Sequence, residues 1–280
     1  MLRHASAALF GALLCGTVIA DGPRAETNAA VEMGRFWGVL HEIGAPGVLP
    51  GTSDMATVLR RQPPAAYRGD GDYEAGGAAD ARLHRAVRKA QIALWVASPA
   101  AAPRELAAQV AGARKAWRAG PTCFRDEYRA PPPGPKAEDR FRQAVLRDSH
   151  AAARILLGLS EALEGLEEAG ADRGREPKRW RANYDFMLAR LQLQIAHVYE
   201  RQSMLGRLRK DPPPLDRALH GGWRLVRSQT MTGDVVGRKM ARDARQALEQ
   251  IARDHRGTPW EVLARHAREV PVGLDWQPVK

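Results

Sequence analysis

The sequence predicts an all-α protein built on a long antiparallel helical hairpin with additional helices, and three observations carry that reading. From Ala137 to Ala169 apolar residues recur three and four apart (Phe141, Val145, Ala152, Ile155, Leu159, Ala162, Leu166), interrupted by a polar break at Asp148. This spacing lays one stripe along a helix. A second run from Pro177 to Lys210 repeats it with Trp180, Tyr184, Met187, Leu188, Leu191, Ile195, Val198 and Leu205, and only a charged turn separates the two. Their charges are opposite: 137–176 holds six Arg against nine Asp and Glu, whereas 177–210 holds eight Lys and Arg against two acids. Each helix would be about 50 Å long at about 1.5 Å per residue. Each exposed ion pair between them adds under ~1 kcal/mol, so burial of the stripes dominates the pairing.

Residues 1–20 read as a signal peptide. Arg3 precedes a charge-free apolar stretch from Ala5 to Ala20, and Val18 and Ala20 put small residues before Asp21-Gly22-Pro23. The chain is therefore expected to be exported and cut near Ala20, and to work in the periplasm or outside the cell. A retained anchor or a buried N-terminal helix are the competing readings. Lipid modification at Cys15 fits less well, because bulky Leu14 precedes it. Cleavage would leave Cys123 as the one thiol, so no internal disulfide is expected. Mean hydropathy is −0.42. With no apolar run of about 20 residues beyond the leader, an internal membrane span is excluded.

Residues 21–119 read as an N-terminal helical region. Met33, Phe36, Trp37, Leu40 and Ile43 stripe a helix over 28–43, a short helix follows Ser53 to Arg61, and 62–81 is a Gly-, Pro- and Ala-rich loop. Helices are expected at 82–97 and 104–118, the latter with Pro103 and Glu105 suited to a first turn. The Pro-rich stretch 120–136 reads as a linker and domain boundary, leaving 137–280 as a helical C-terminal domain. Gly170 is expected to cap the first long helix as its C′ residue. Residues 211–237 read as irregular. A helix resumes near Gly237 with Met240, Ala244, Leu248 and Ile251. Another starts at Thr258-Pro259-Trp260-Glu261, with Thr258 as N-cap and Glu261 closing a capping box.

Net charge of +11 would suit an anionic partner. Lysine occurs at only seven positions, however, and the abundance of Arg, Ala, Gly and Pro matches a GC-rich coding sequence. A generally basic surface is favoured over a dedicated polyanion site. Export and the lack of recognition-helix, zinc-finger or RNP-type patterns argue against nucleic acid. The sharpest basic feature lies in 179–209, where Arg179, Arg190 and Arg201 stand eleven apart, close to three helical turns, and so share one face. They are the candidate contacts for an anionic polymer or lipid surface.

No catalytic, cofactor-binding or metal-ligating set is read from the sequence. The strings His-Glu-x-x-His, Gly-x-Ser-x-Gly, the P-loop and Gly-x-Gly-x-x-Gly are absent. His197 and Glu200 stand three apart, which reads as a polar pair rather than a metal site. Cys123 has no base beside it in sequence. Trp180, Tyr184, Trp223, Trp260 and Trp276 read as core residues before a ligand cradle.

Two resemblances follow from particular residues. The stretch Ala247-x3-Ile251 through Gly257-Thr258-Pro259-Trp260 to Leu263-Ala264 resembles a junction between tetratricopeptide repeats, as one degenerate unit. Arg179-Trp180-Arg181-Ala182-Asn183-Tyr184-Asp185, Tyr199-Glu200, Gly222-Trp223-Arg224-Leu225, Gly257 to Ala264 and Gly273-Leu274-Asp275-Trp276-Gln277-Pro278 mark a second. Over about 141–278 the chain resembles the uncharacterised helical C-terminal region of exported bacterial proteins that carry a von Willebrand factor A domain. That resemblance implies an exported helical module associated with other envelope proteins and implies no site residues. The A domain's Asp-x-Ser-x-Ser metal loop is not present in this sequence. The expectation is a non-enzymatic interaction or scaffold module of the bacterial envelope, partnered by another envelope or exported protein. The alternative is anionic-polymer or lipid binding through the Arg face.

Overall fold

The computed structural model describes residues 82–120 and 125–280. The leader, Cys15, the expected helices at 28–43 and 53–61, the loop 62–81 and Cys123 lie outside the described residues. Within them the protein is mostly helical, as expected, with six α-helices and a small antiparallel sheet that sequence reasoning did not foresee. The helices are α1 (Arg82–Val96), α2 (Arg104–Ala116), α3 (Pro135–Ala169), α4 (Lys178–Lys210), α5 (Val235–Asp254) and α6 (Pro259–Glu269). The strands are β1 (Glu127–Arg129), β2 (Gly222–Ser228) and β3 (Gly273–Val279), in spatial order β1-β2-β3.

Helix α3 begins at Pro135, just after Gly134 at φ 125°, because Pro is pre-set for a first helical position and its missing N–H costs nothing there. Its far end differs from expectation. Gly170 has helical φ −60°, and the chain tightens into a 3-10 turn over Gly170–Arg175 rather than entering a left-handed cap. Glycine is required at this position for space, since a Cβ would lie 2.5 Å from the Tyr184 hydroxyl. Arg173 clamps the turn to α4, donating to both Asp185 carboxylate oxygens at 2.7 and 2.6 Å. At the opposite end, Val145 near the start of α3 shares a cluster with Leu205 and Leu208 near the end of α4. The two helices therefore run back along one another.

Helix α4 is central. It packs against α1, α3, α5, α6 and β3, and buries Leu191, Ile195, Phe186, Met187 and Leu205 almost completely. Leu83, Val87, Ala90 and Leu94 of α1 recur at helical spacing and enter the same core as α3 to α6. The Pro-rich stretch is consequently not a boundary between separate cores among the described residues. Its described part carries β1, whose Tyr128 is buried and donates its hydroxyl to Asp148 at 2.9 Å. That bond accounts for the polar break in the α3 stripe.

The supposedly irregular stretch after Lys210 contains β2. Trp223 and Leu225 point inward while Arg224 points out, the period-two alternation of a half-buried strand. Tyr128 faces Trp223 across β1–β2, and Leu225 faces Trp276 across β2–β3. Gly222 allows β1 to approach: a Cβ there would sit 2.2 Å from the Tyr128 carbonyl oxygen. Gly222→Ala should therefore separate β1 from β2 and lower stability by about 1–2 kcal/mol in urea unfolding. It should also speed exchange of the Leu225 amide, which donates to the Asp126 carbonyl at 2.7 Å. An unchanged midpoint and unchanged exchange would contradict this register.

Helices α5 and α6 follow the expected helix–turn–helix at 247–264, with two changes of detail. Asp234 caps α5, accepting the Val236 amide at 2.6 Å, so the helix starts two residues before Gly237. At α6 the reciprocal capping box does not form. Thr258 turns its hydroxyl back to the His255 carbonyl at 2.6 Å, and Glu261 accepts from the Gly257 amide at 2.7 Å instead. Trp260 is fully buried and donates its indole N–H to Asn183 of α4 at 2.8 Å.

Candidate anion site

The expected row Arg179, Arg190 and Arg201 does not form an exposed surface. Arg190 and Arg201 are only 6% and 8% exposed. The spacing of eleven does align these two, and both line one cavity of about 170 Å³, whereas Arg179 is half-buried and outside its lining. A row of this kind is not available to a polymer or a lipid surface. The cause is the central position of α4, whose flanks are covered on several sides.

Five residues of α4 line the cavity: Val198 and the polar Arg190, Gln194, His197 and Arg201, these four at i, i+4, i+7 and i+11. Ala152 and Ile155 of α3 and Leu94 of α1 form an apolar wall. Strand β2 adds Leu225 and Arg227, and β3 adds Leu274. The segment after α1 also borders the cavity. It is fixed by Arg114, whose guanidinium reaches the carbonyl oxygens of Trp95 at 3.1 Å and Ser98 at 2.6 Å, while Gln194 donates to the Ala97 carbonyl at 3.3 Å.

The three cavity arginines are not equivalent. Arg201 is neutralised: it donates to Asp126 at 2.8 Å and to the Arg125 carbonyl. Pairing of β1 with β2 holds Asp126 in reach. Arg227 stands exposed at the mouth and donates to the Pro271 carbonyl at 2.6 Å. Arg190 is buried with its Nε lacking any hydrogen-bond partner, and no carboxylate pairs with it among the described residues. Burial, with the Arg227 guanidinium as a second cause, pushes Arg190 down to about 10, so it stays charged at neutral pH. A buried cation without a counter-ion costs several kcal/mol unless something anionic completes it.

His197 donates Nδ1–H to the Val272 carbonyl at 3.0 Å, which assigns the lone pair to Nε2. Burial first, then Arg227, pushes it down to about 4 despite that hydrogen bond, with Arg201 and Arg190 acting in the same direction. It is neutral at pH 7. Its folded value lies below the unfolded ~6.5, so its share of stability is whole above ~6.5 and is lost as pH falls towards 4. Wild type should lose about 2 kcal/mol more than His197→Gln between pH 7 and 4 in urea titrations. Parallel curves would show that His197 is not shielded from protons.

His197 and Glu200, three apart, serve different partners. Glu200 is fully buried and accepts the Thr232 and Gly233 amides, each at 2.8 Å, pinning the connection from β2 to α5. The expected aromatic residues are likewise dispersed. Trp180 stacks on His84 with ring centroids 3.6 Å apart, while Trp223 and Trp276 donate to the Pro213 and Met204 carbonyls.

Sequence reasoning missed Arg227 because the strand that carries it was not foreseen, and Gln194 because the covering of α4 on several sides was not. The spacing of 190, 194, 197 and 201, which sets four polar residues on one face of α4, was the available signal. No described helix is long and apolar enough to cross a membrane. No protein-family model, curated protein or solved structure matches the chain.

Proposed function

We propose that this chain is a binding protein for a small anion, which it holds in the cavity beside α4. One observation carries the reading: Arg190, 6% exposed, borders a cavity with no carboxylate to neutralise it among the described residues. Guanidinium is the side chain best suited to a planar anion, because its fixed donors match two oxygens at once. Arg227 at the mouth adds a second charge that draws anions inward. The charge-free stretch Ala5 to Ala20 supports a setting in the bacterial envelope.

This reading replaces a polymer-binding face with a cavity that opens to solvent past Arg227. A role in binding another envelope protein rests on helical architecture, the lack of catalytic motifs and the resemblance over about 141–278. The large exposed apolar side chains, Leu157, Leu219, Val235 and Val236, are spread over α3, the segment before β2 and α5, and isolated exposures of this kind are ordinary.

Thermal unfolding in sodium acetate, formate and phosphate, each against sodium chloride at equal ionic strength, tests the proposal. A ligand that binds the folded chain alone stabilises it by about 2.7 kcal/mol at one hundred times its Kd. At least one of these anions should raise the wild-type midpoint and leave Arg190→Gln unmoved. Equal shifts in both proteins for every anion would refute the site.

A further inference from the structure

We infer that the anion held here is a monocarboxylate with a compact apolar body, such as a short branched-chain acid; this deepens the anion-binding reading and rests on it. Arg190, paired with no carboxylate among the described residues, and Arg227, bonded to the Pro271 carbonyl and near enough to Asp126 to feel its charge, share one part of the lining. Arg190 and Arg227 border both the main cavity and a smaller one of about 40 Å³ beside it, together with Gln194 and His197. A single anionic head at that junction reaches both.

Apolar side chains also stand along the main cavity, beside the polar Ser98, Asp126 and Arg201. Leu94, Ile155, Val198, Leu225 and Leu274 line it from five different elements. Inorganic phosphate would leave that wall against water and would need donors around four oxygens rather than along one edge. A dicarboxylate would need a second free cation. The remaining guanidinium in the lining, Arg201, is already engaged by Asp126. Asp126 itself lines the cavity, where its charge disfavours another carboxylate. Volume sets the size of the body. An apolar cavity of about 150 Å³ admits a benzene-sized guest, and this more polar, partly open one is about 170 Å³. Four to five carbons beside the head, roughly the size of isovalerate, fit that space.

Isothermal titration of the full chain at fixed ionic strength tests this with sodium isovalerate, formate, phosphate and succinate, and with uncharged 3-methylbutan-1-ol. Each buried methylene adds roughly fourfold in affinity, so isovalerate should bind at least tenfold more tightly than any of the other four. Leu225→Ser should bring isovalerate close to formate and leave formate unchanged. Arg190→Gln should abolish binding of every anion. Should that variant lose its helical circular dichroism, Arg227→Gln at the exposed mouth replaces it, with a tenfold or greater loss expected. Phosphate or succinate binding as tightly as isovalerate, and lost in the arginine variant, would overturn the monocarboxylate while keeping the anion site. Binding of 3-methylbutan-1-ol equal to isovalerate, or binding of none of the five, would overturn both.

Discussion

Leu191→Asp should unfold the protein or leave it with a small fraction of its stability. Leu191 has no exposure and sits on the central helix among side chains of the main core. A carboxylate there loses the transfer energy of the leucine and must also shed its hydration or take up a proton. The expected cost is about 4–5 kcal/mol, at the upper end for single substitutions and a large part of the total stability of a typical domain. Urea unfolding followed by circular dichroism measures it. The neighbouring Gln192 is partly exposed and provides the control, since Gln192→Asp should cost well under half as much. Equal stability of Leu191→Asp and wild type would mean that α4 is not the centre of the fold.

Arg190→Met should do the reverse. Replacing a buried core leucine by a polar group destabilises, but replacing a buried, uncompensated cation by an apolar chain of similar length removes a desolvation cost. Exchanges of buried ionic groups for apolar ones have stabilised other proteins by about 1–4 kcal/mol. A gain of about 2 kcal/mol without ligand is expected here, together with loss of the response to anions. Stability given up in favour of binding is the usual relation at a functional site. A purely structural arginine would give the opposite sign. If Arg190→Met is less stable than wild type in anion-free buffer, the guanidinium holds the fold together rather than waiting for a ligand.

The helices were legible in the sequence because each carries its own periodicity. Leu83, Val87, Ala90 and Leu94 mark α1, and Ala244, Leu248 and Ile251 mark α5, without reference to the rest of the chain. The strands carried a weaker local signal, limited in β2 to the short alternation Trp223-Arg224-Leu225. β1 is three residues long inside a Pro-rich stretch, and β3 contains Pro278, which is tolerated because β3 is an edge strand. What makes them strands is β2 between them, a long-range pairing that no local pattern encodes.

The candidate site was half legible for a related reason. The interval of eleven between Arg190 and Arg201 correctly aligns them on one face. A two-helix pairing would leave this face of α4 to solvent, whereas the folded chain covers α4 with four helices and a strand. Arg190 is buried for that reason. The contribution of Arg227 depends wholly on the sheet and was beyond reach of any reading of α4 alone.

The central claim, that Arg190 is an anion receptor, is tested most directly at its own Nε–H. That group makes no hydrogen bond among the described residues and belongs to a side chain that lines the cavity, so its resonance in ¹⁵N-labelled protein reports on the site. Arg190→Gln identifies the signal by its disappearance. Titration with sodium isovalerate, acetate and phosphate at constant ionic strength should move this resonance saturably for at least one anion, while that of Arg173, already bound to Asp185, stays in place. An Arg190 signal that remains still for all three, or drifts linearly together with Arg173, would contradict the account.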